Sequence, residues 1–347
     1  MFRDCDYIKI KDGTIFIVVG DQHVFDRVMA KEVYLPDETG DHVDRATGVK
    51  YKKKIEEYPI YDSLVAKTHP EYLPTDQDFI KSLYIPSSDI IKHYKPRDKV
   101  KECLEKGLLR NTKWEKLIST INEVAGIPFG NIGIYGSYLV ELNNDDSDVD
   151  ILVYGKENLG KLRDHFDEII LNVGIRKASR EQRIARVATW EKYSAIDIDR
   201  LQKMESRRWS RLNVYGDDIT SIRFIYNEDE VPLGLITSPV IRGVKTRGVV
   251  AESIRTHFCP RIAKIIIDGN KTIEVISYGF LFFSCVSDGD EVEILGNYRK
   301  DGQREYITLD NPSHYMCPIT EYNILSERPC NDRDISNKIL AKSRKTP

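Results

Sequence analysis

Apolar residues along this chain change their spacing twice, and each change marks a different kind of element. Near the start they alternate with polar ones. Tyr7-Ile8-Lys9-Ile10-Lys11 runs out, Asp12-Gly13 turns, and Thr14-Ile15-Phe16-Ile17-Val18-Val19 returns, the pattern of a β-hairpin. The same alternation predicts strands over 27–35 and 49–55, with Pro36-Asp37-Glu38-Thr39-Gly40-Asp41 as a turn between them. Short helical stretches interrupted by prolines fill 58–95. Beyond Arg97 the spacing becomes helical: Val100, Cys103, Leu104 and Leu108 predict a helix over 98–109, and Trp114, Leu117, Ile118, Ile121 and Val124 one over 114–125. Gly126 and Pro128 stop the second. Further helices are expected over 157–171, 180–193 and 199–212, then a strand over 219–226. After the polar stretch 227–232 alternation returns, predicting strands over 239–251, 261–267, 272–277, 279–285, 291–298 and 305–309. Asp268-Gly269, Asp288-Gly289 and Asp301-Gly302 supply turns between them.

The most informative stretch, 132–155, sits among the helices. An apolar run, Ile132-Gly133-Ile134-Tyr135, turns at Gly136-Ser137; after a spacer, Ser147-Asp148-Val149-Asp150 leads into Ile151-Leu152-Val153-Tyr154. Strand alternation places Asp148 and Asp150 on one face, with Val149 and Ile151 turned into a core. Two neighbouring carboxylates repel unless a cation lies between them, and hard oxygen ligands of this kind suit Mg²⁺. A glycine at the end of the first strand lets the backbone approach closely. Gly136-Ser137 sits where the strand should give way to a helix, and a serine hydroxyl with the free N–H groups of that helix can hold a phosphate. A phosphate grip and metal carboxylates on neighbouring elements read as nucleotidyl transfer.

Gly136-Ser137, the spacer and Asp148-x-Asp150 resemble the signature of the polymerase-beta-like nucleotidyltransferase superfamily. The flanking apolar strands and Ser147 make this more specific than a bare pair of aspartates. The competing reading is a solvated acidic hairpin helped by Asn143-Asn144-Asp145-Asp146. The resemblance implies that Gly136 and Ser137 bind the triphosphate. It also implies that Asp148 and Asp150 are catalytic and hold two Mg²⁺ ions, with Mn²⁺ able to substitute. The stretches GDQHVFDRV and YKK near the start resemble the beginnings of uncharacterised archaeal proteins that carry such a domain.

The chain departs from the family pattern at the third carboxylate. The expected register puts Ser221 at the acid position, before Ile222 and Arg223. Asp217 and Asp218 lie just upstream, and Asp197 and Asp199 earlier; Asp199 reads as a helix N-cap. Asp218 is kept as a candidate metal ligand, although it needs a bulge to face Asp148. Arg207, Arg208 and Arg211 are read either as a grip on the nucleotide phosphates or as a solvated helix face paired with Glu205.

These readings predict an α+β, multidomain protein. An N-terminal β-rich module (1–96) precedes a central α/β nucleotidyltransferase domain with a small mixed sheet (97–230). A small OB-like or SH3-like β-barrel (237–330) and a basic tail (331–347) follow. The chain has 347 residues, of which 41% are hydrophobic and 31% charged, enough to build real cores. Its net charge of −3 does not advertise a nucleic-acid partner, though a local basic face is compatible with it. Lys50, Lys52, Lys53 and Lys54 beside Tyr51 and Tyr58 offer such a face, or else a protected edge strand. Phe282, Phe283, Tyr298 and Tyr306 with Arg299, Lys300 and Arg304 offer a stacking surface on the barrel, or else fill it. His23 and Asp26 read as a polar loop end or as contact residues. Six cysteines without a C-x-x-C argue against zinc and against a disulfide framework. A charged N-terminus and the lack of a membrane-length apolar run predict a cytoplasmic protein with no membrane partner.

The expected function is Mg²⁺-dependent transfer of a nucleoside monophosphate from an NTP to an acceptor hydroxyl, with pyrophosphate as leaving group; an RNA or DNA 3′ end, a protein hydroxyl or a small molecule could accept, and the flanking β modules favour nucleic acid, RNA first. The alternative is a catalytically weakened protein that binds or senses nucleotide or RNA on the same fold.

Overall fold

A computed structural model describes residues 1–319 apart from 24–25, 55–63, 76–77, 79, 81, 145–146, 192–193, 214–218, 233–235, 237 and 283. The N-terminal strands are β1 (Tyr7–Ile10), β2 (Ile15–Val18), β3 (Arg27–Pro36), β4 (His42–Val43), β5 (Lys50–Lys53), β6 (Leu83–Pro86) and β7 (Ile90–Tyr94). They form one antiparallel sheet in the order β4-β5-β3-β2-β1-β7, with β6 added alongside β3. The Asp12-Gly13 turn sets the first register, Tyr7 opposite Ile17. The lysine-rich strand β5 lies between β3 and β4 instead of at the edge, so its lysines are not edge protection. A short helix, α1 (Leu64–Thr68), lies between β5 and β6.

Two helices, α2 (Pro96–Lys106) and α3 (Lys113–Ala125), then lead into β8 (Ile132–Tyr135). Thr112 caps α3 by accepting the Glu115 N–H at 3.2 Å, and Gly126 ends it in a left-handed conformation. After β9 (Asp150–Tyr154) come α4 (Lys156–Val173), β10 (Arg176–Lys177), α5 (Arg180–Glu191) and α6 (Ile198–Ser206). The central region closes with β11 (Arg211–Asn213), β12 (Ile219–Ser221) and β13 (Arg223–Ile225). β8 pairs antiparallel with β9, and β13 joins the other side of β9 in parallel. This small mixed sheet packs on α3 and α4 through Leu117, Ile121, Ile134, Ile151, Leu162 and Phe224.

Two expectations change here. The helix predicted over 199–212 stops at Ser206, its N-cap is Asp197 instead of Asp199, and Arg211 sits in a strand. The strand predicted over 219–226 divides at Ile222: β12 pairs with β11, whereas β13 belongs to the β8–β9 sheet. Ile222 turns its backbone N–H to Ser210 and its side chain into the core, so the residue at the break still reads as an inward strand position.

The C-terminal strands are β14 (Arg242–Glu252), β15 (Arg261–Ile267), β16 (Lys271–Ser277), β17 (Glu291–Asp301), β18 (Arg304–Thr308) and β19 (Tyr315–Pro318). The first five close into a barrel in the order β14-β15-β16-β18-β17 and back to β14, with β16 and β18 parallel. The strand expected over 279–285 is instead a short 3₁₀ turn, Phe280–Phe282, whose Leu281 and Phe282 join the barrel core while Phe280 packs against the central one. β19, not foreseen, pairs with β17. The stacking surface expected on the barrel does not form. Tyr306 and Phe282 are buried, and Arg299 is spent on Ser238, Thr308 and Asp310; Phe283 lies outside the described residues. Among the described residues no helix is long and apolar enough to cross a membrane.

Apolar clusters run across the regions. Tyr7, Tyr34 and Tyr51 of the N-terminal sheet share one with Tyr135, Leu139, Leu152 and Ile225. Val187, Leu201 and Met204 of α5 and α6 share another with the barrel. His257 joins the barrel to the central region: its Nε2 accepts from Trp209 Nε1 at 3.1 Å and bonds Ser284 Oγ at 2.9 Å, while its Nδ1 faces the Ile254 carbonyl. Burial pushes this imidazole from its ordinary 6.5 down to about 4. The folded state therefore binds His257's proton less readily than the unfolded chain does. The stabilisation this group gives is complete above pH 6.5 and drains as pH falls toward 4, by about 3 kcal/mol in all. Urea titrations between pH 7.5 and 4.5 are expected to show this decline, and a His257→Gln variant to have lost that part of the slope.

Candidate active site

The cavity that gathers the chemistry has a volume of about 390 Å³ and takes its walls from all three regions. Asp148 and Asp150 line it together with Gly136. Their proximity follows from strand register: Tyr135 at the end of β8 lies opposite Asp150 at the start of β9, so the next residue, Gly136, meets the carboxylate. Gly136 has φ +75°, and a Cβ there would stand 2.4 Å from Asp150 Oδ2. Only glycine leaves that oxygen its room. Ser137 follows, buried, with its carbonyl accepting the Leu142 N–H at 2.9 Å, so the backbone winds through tight turns after the strand in place of the expected helix.

Three guanidiniums line the same cavity: Arg186 from α5, Arg223 from β13 and Arg261 from β15. Arg223 lies 4.9 Å from the Tyr135 ring centre and 4.0 Å from that of Phe280. Burial and the nearby Arg211 lower the pKa of Arg186 from its usual value. Guanidinium stays charged even so, and its fork matches phosphate oxygens. The N-terminal sheet contributes Lys31, Glu32, Tyr34, Lys53 and Lys54, and the barrel Phe280, Asn311 and His314. Glu32 and Lys54 form an ion pair on this wall.

The donor set fits a hard divalent cation. Asp148 and Asp150 offer carboxylate oxygens to one space, and Mg²⁺ takes one or two carboxylates together with substrate phosphates. Among the described residues no group of three His, Cys, Asp or Glu side chains converges on a metal position. Asp217 and Asp218, the candidates for a third acid, lie outside the described residues.

Residues 127–210 match the family model of the nucleotidyltransferase domain. The chain carries a nucleotidyltransferase domain. The match spans Gly136, Ser137, Asp148 and Asp150 and ends before β12 and Arg223. Over 86% of this chain and 92% of the relative, the sequence is 29% identical to the uncharacterized protein MJ1086 of Methanocaldococcus jannaschii. No solved structure matches the chain.

Several expected contacts fall elsewhere. Arg207 pairs with Asp290 at 2.7 Å, and Arg208 pairs with Glu205 at 2.8 Å, as does Arg211 at 2.9 Å. All three are drawn inward by these carboxylates and none lines the cavity, so the expected phosphate grip by Arg207 and Arg208 gives way to a structural network. His23 accepts the Met29 N–H at Nδ1 and faces the Phe2 carbonyl with Nε2, a loop-fixing arrangement. Tyr58 lies outside the described residues. Arg186, Arg261 and Tyr34 were not singled out beforehand. Each comes from an element far from Asp148 in sequence and carries no local motif, so only the folded chain brings it to the nucleotidyltransferase domain.

Proposed function

We propose that this protein transfers a nucleoside monophosphate from an NTP to an acceptor hydroxyl in a Mg²⁺-dependent reaction that releases pyrophosphate. The observation that carries this reading is Asp148 and Asp150 sharing a cavity with Gly136, which is pressed against the Asp150 carboxylate, and with Arg186, Arg223 and Arg261. Gly136 and Ser137 would hold the triphosphate through the backbone turn, and the arginines would attract its charge. Asp148 and Asp150 would hold the metal. When bound, Mg²⁺ would lower the cost of charge building on the attacking and leaving oxygens. Catalysis is then largely placement plus neutralisation of charge.

RNA is the first acceptor to test. A cavity of about 390 Å³ between three walls suits one unpaired end and not a duplex. The strand order of the barrel, first-second-third-fifth-fourth with a parallel third–fifth pair, supports the OB-like reading, an architecture that often meets single strands. A second reading rests on the third acid: with only Asp148 and Asp150 converging among the described residues, the same pocket suits a nucleotide sensor.

Each labelled NTP is to be incubated with the protein, Mg²⁺ and total RNA, beside an Asp148→Asn, Asp150→Asn double variant. Label passing to RNA or to the protein itself, and lost entirely in the variant, is expected. NTP binding without transfer, weakened in the variant, would replace the enzyme with the sensor.

A further inference from the structure

We propose that the N-terminal sheet is the acceptor seat of this site, with Tyr34 Oη holding the acceptor hydroxyl beside Asp148 and Asp150, and that the acceptor is a ribose-like vicinal diol; this rests on the transfer reading above. Tyr34, on β3, has a relative exposure of 0%, and its hydroxyl has no hydrogen-bond partner among the described residues. Such groups are uncommon in folded proteins and ask for an explanation. The same side chain lines the cavity with both aspartates.

Arg186, Arg223 and Arg261 line the same cavity as Tyr34, and Arg223 lies 4.0 Å from the Phe280 ring centre. A polyphosphate drawn to these guanidiniums leaves toward them, and in-line displacement brings the attacking oxygen from the opposite side of the α-phosphorus. In this assignment the acceptor enters beside Tyr34. Tyr34 donates its O–H to one lone pair of the acceptor oxygen, and the other lone pair attacks. The new O–P bond forms, the bond from the α-phosphorus to the bridging oxygen breaks, and its electron pair leaves on pyrophosphate. The acceptor proton passes to a carboxylate of the Asp148–Asp150 pair.

Next to Tyr34 the wall presents the buried Glu32, ion-paired to Lys54. A carboxylate has several lone-pair positions, and one ammonium does not fill them. Glu32 can therefore accept a second hydroxyl while Lys54 donates to it, which is the recognition a vicinal diol needs. A free ribose and the 3′ end of an RNA share that chemistry.

The test compares wild type with Tyr34→Phe, using labelled NTP, Mg²⁺ and three probes: free ribose, a short oligoribonucleotide, and the same oligomer ending in 3′-terminal 2′-deoxyribose. Wild type is expected to label a ribose-bearing probe at least tenfold faster than the deoxy end, and the probe used tells a free sugar from a chain end. Tyr34→Phe is expected to lower kcat/KM for that probe at least tenfold. Its NTP affinity measured with Mn²⁺ should be unchanged, and its thermal midpoint unchanged or higher, because a buried hydroxyl without a partner has been removed. Wild-type acceptor kinetics in Tyr34→Phe, an equal loss of nucleotide affinity, no preference for the diol, or label on the protein alone would each overturn the proposal and leave transfer standing. No NTP consumption by wild type with any probe would overturn both.

Discussion

Gly136→Ala is expected to reduce nucleotidyl transfer at least about a hundredfold while the protein stays folded. The new Cβ would collide with Asp150 Oδ2 at 2.4 Å, whereas the backbone around it has no such contact. The cheapest relief is for the carboxylate to swing away, so the fold survives and the metal ligand moves. A displacement of about 1 Å in a site that works by placement costs roughly 10²-fold. The left-handed φ of +75° adds a conformational cost of about 1–2 kcal/mol, visible as a lower denaturation midpoint. The readouts therefore separate: single-turnover transfer and Mn²⁺ affinity fall sharply, and stability falls modestly. Full transfer by Gly136→Ala would mean that Asp150 is not where chemistry occurs.

Glu205→Gln is expected to have the largest effect on stability, a loss of about 3–5 kcal/mol. Glu205 is buried, 1% exposed, between Arg208 and Arg211, which are equally buried. The two guanidiniums hold its carboxyl below the usual range against the opposing effect of burial. Removing the negative charge leaves two cations in the interior without the carboxylate they share. Guanidinium denaturation at unchanged m-value and lower midpoint is the expected signature. Arg208 and Arg211 also lie 5.7 Å from the Phe280 ring centre. Loosening this network therefore reaches a wall of the cavity, and activity should fall with stability instead of independently of it.

The strand pair that carries Asp150 was readable from sequence because local alternation alone determines it: Ile132–Tyr135 and Asp150–Tyr154 lie as the apolar runs indicated. The helices α2 to α5 were readable for the same reason, their apolar faces repeating at helical spacing. Arg207, Arg208 and Arg211 were not, because a basic cluster looks the same whether it meets solvent, a phosphate or one buried glutamate. Asp197 and Asp199 were confused because either can cap, and the choice depends on where the backbone leaves the helix. The split at Ile222 was hidden because an apolar residue that changes sheets still reads as strand. Tyr34 and Arg261 reach the cavity only by tertiary docking, for which a single chain of letters carries no period.

The three-walled cavity also has a bearing on how the chain is born. Synthesis proceeds from the N-terminus, and domains fold as they emerge. When Asp150 leaves the ribosome, Tyr34 and Glu32 are already available, but Arg261, Phe280 and His314 have not yet been translated. An unfinished chain thus holds both aspartates in a site still missing one wall. On the proposed reading, nucleotide chemistry would wait for the barrel, and a truncated product would be a silent one.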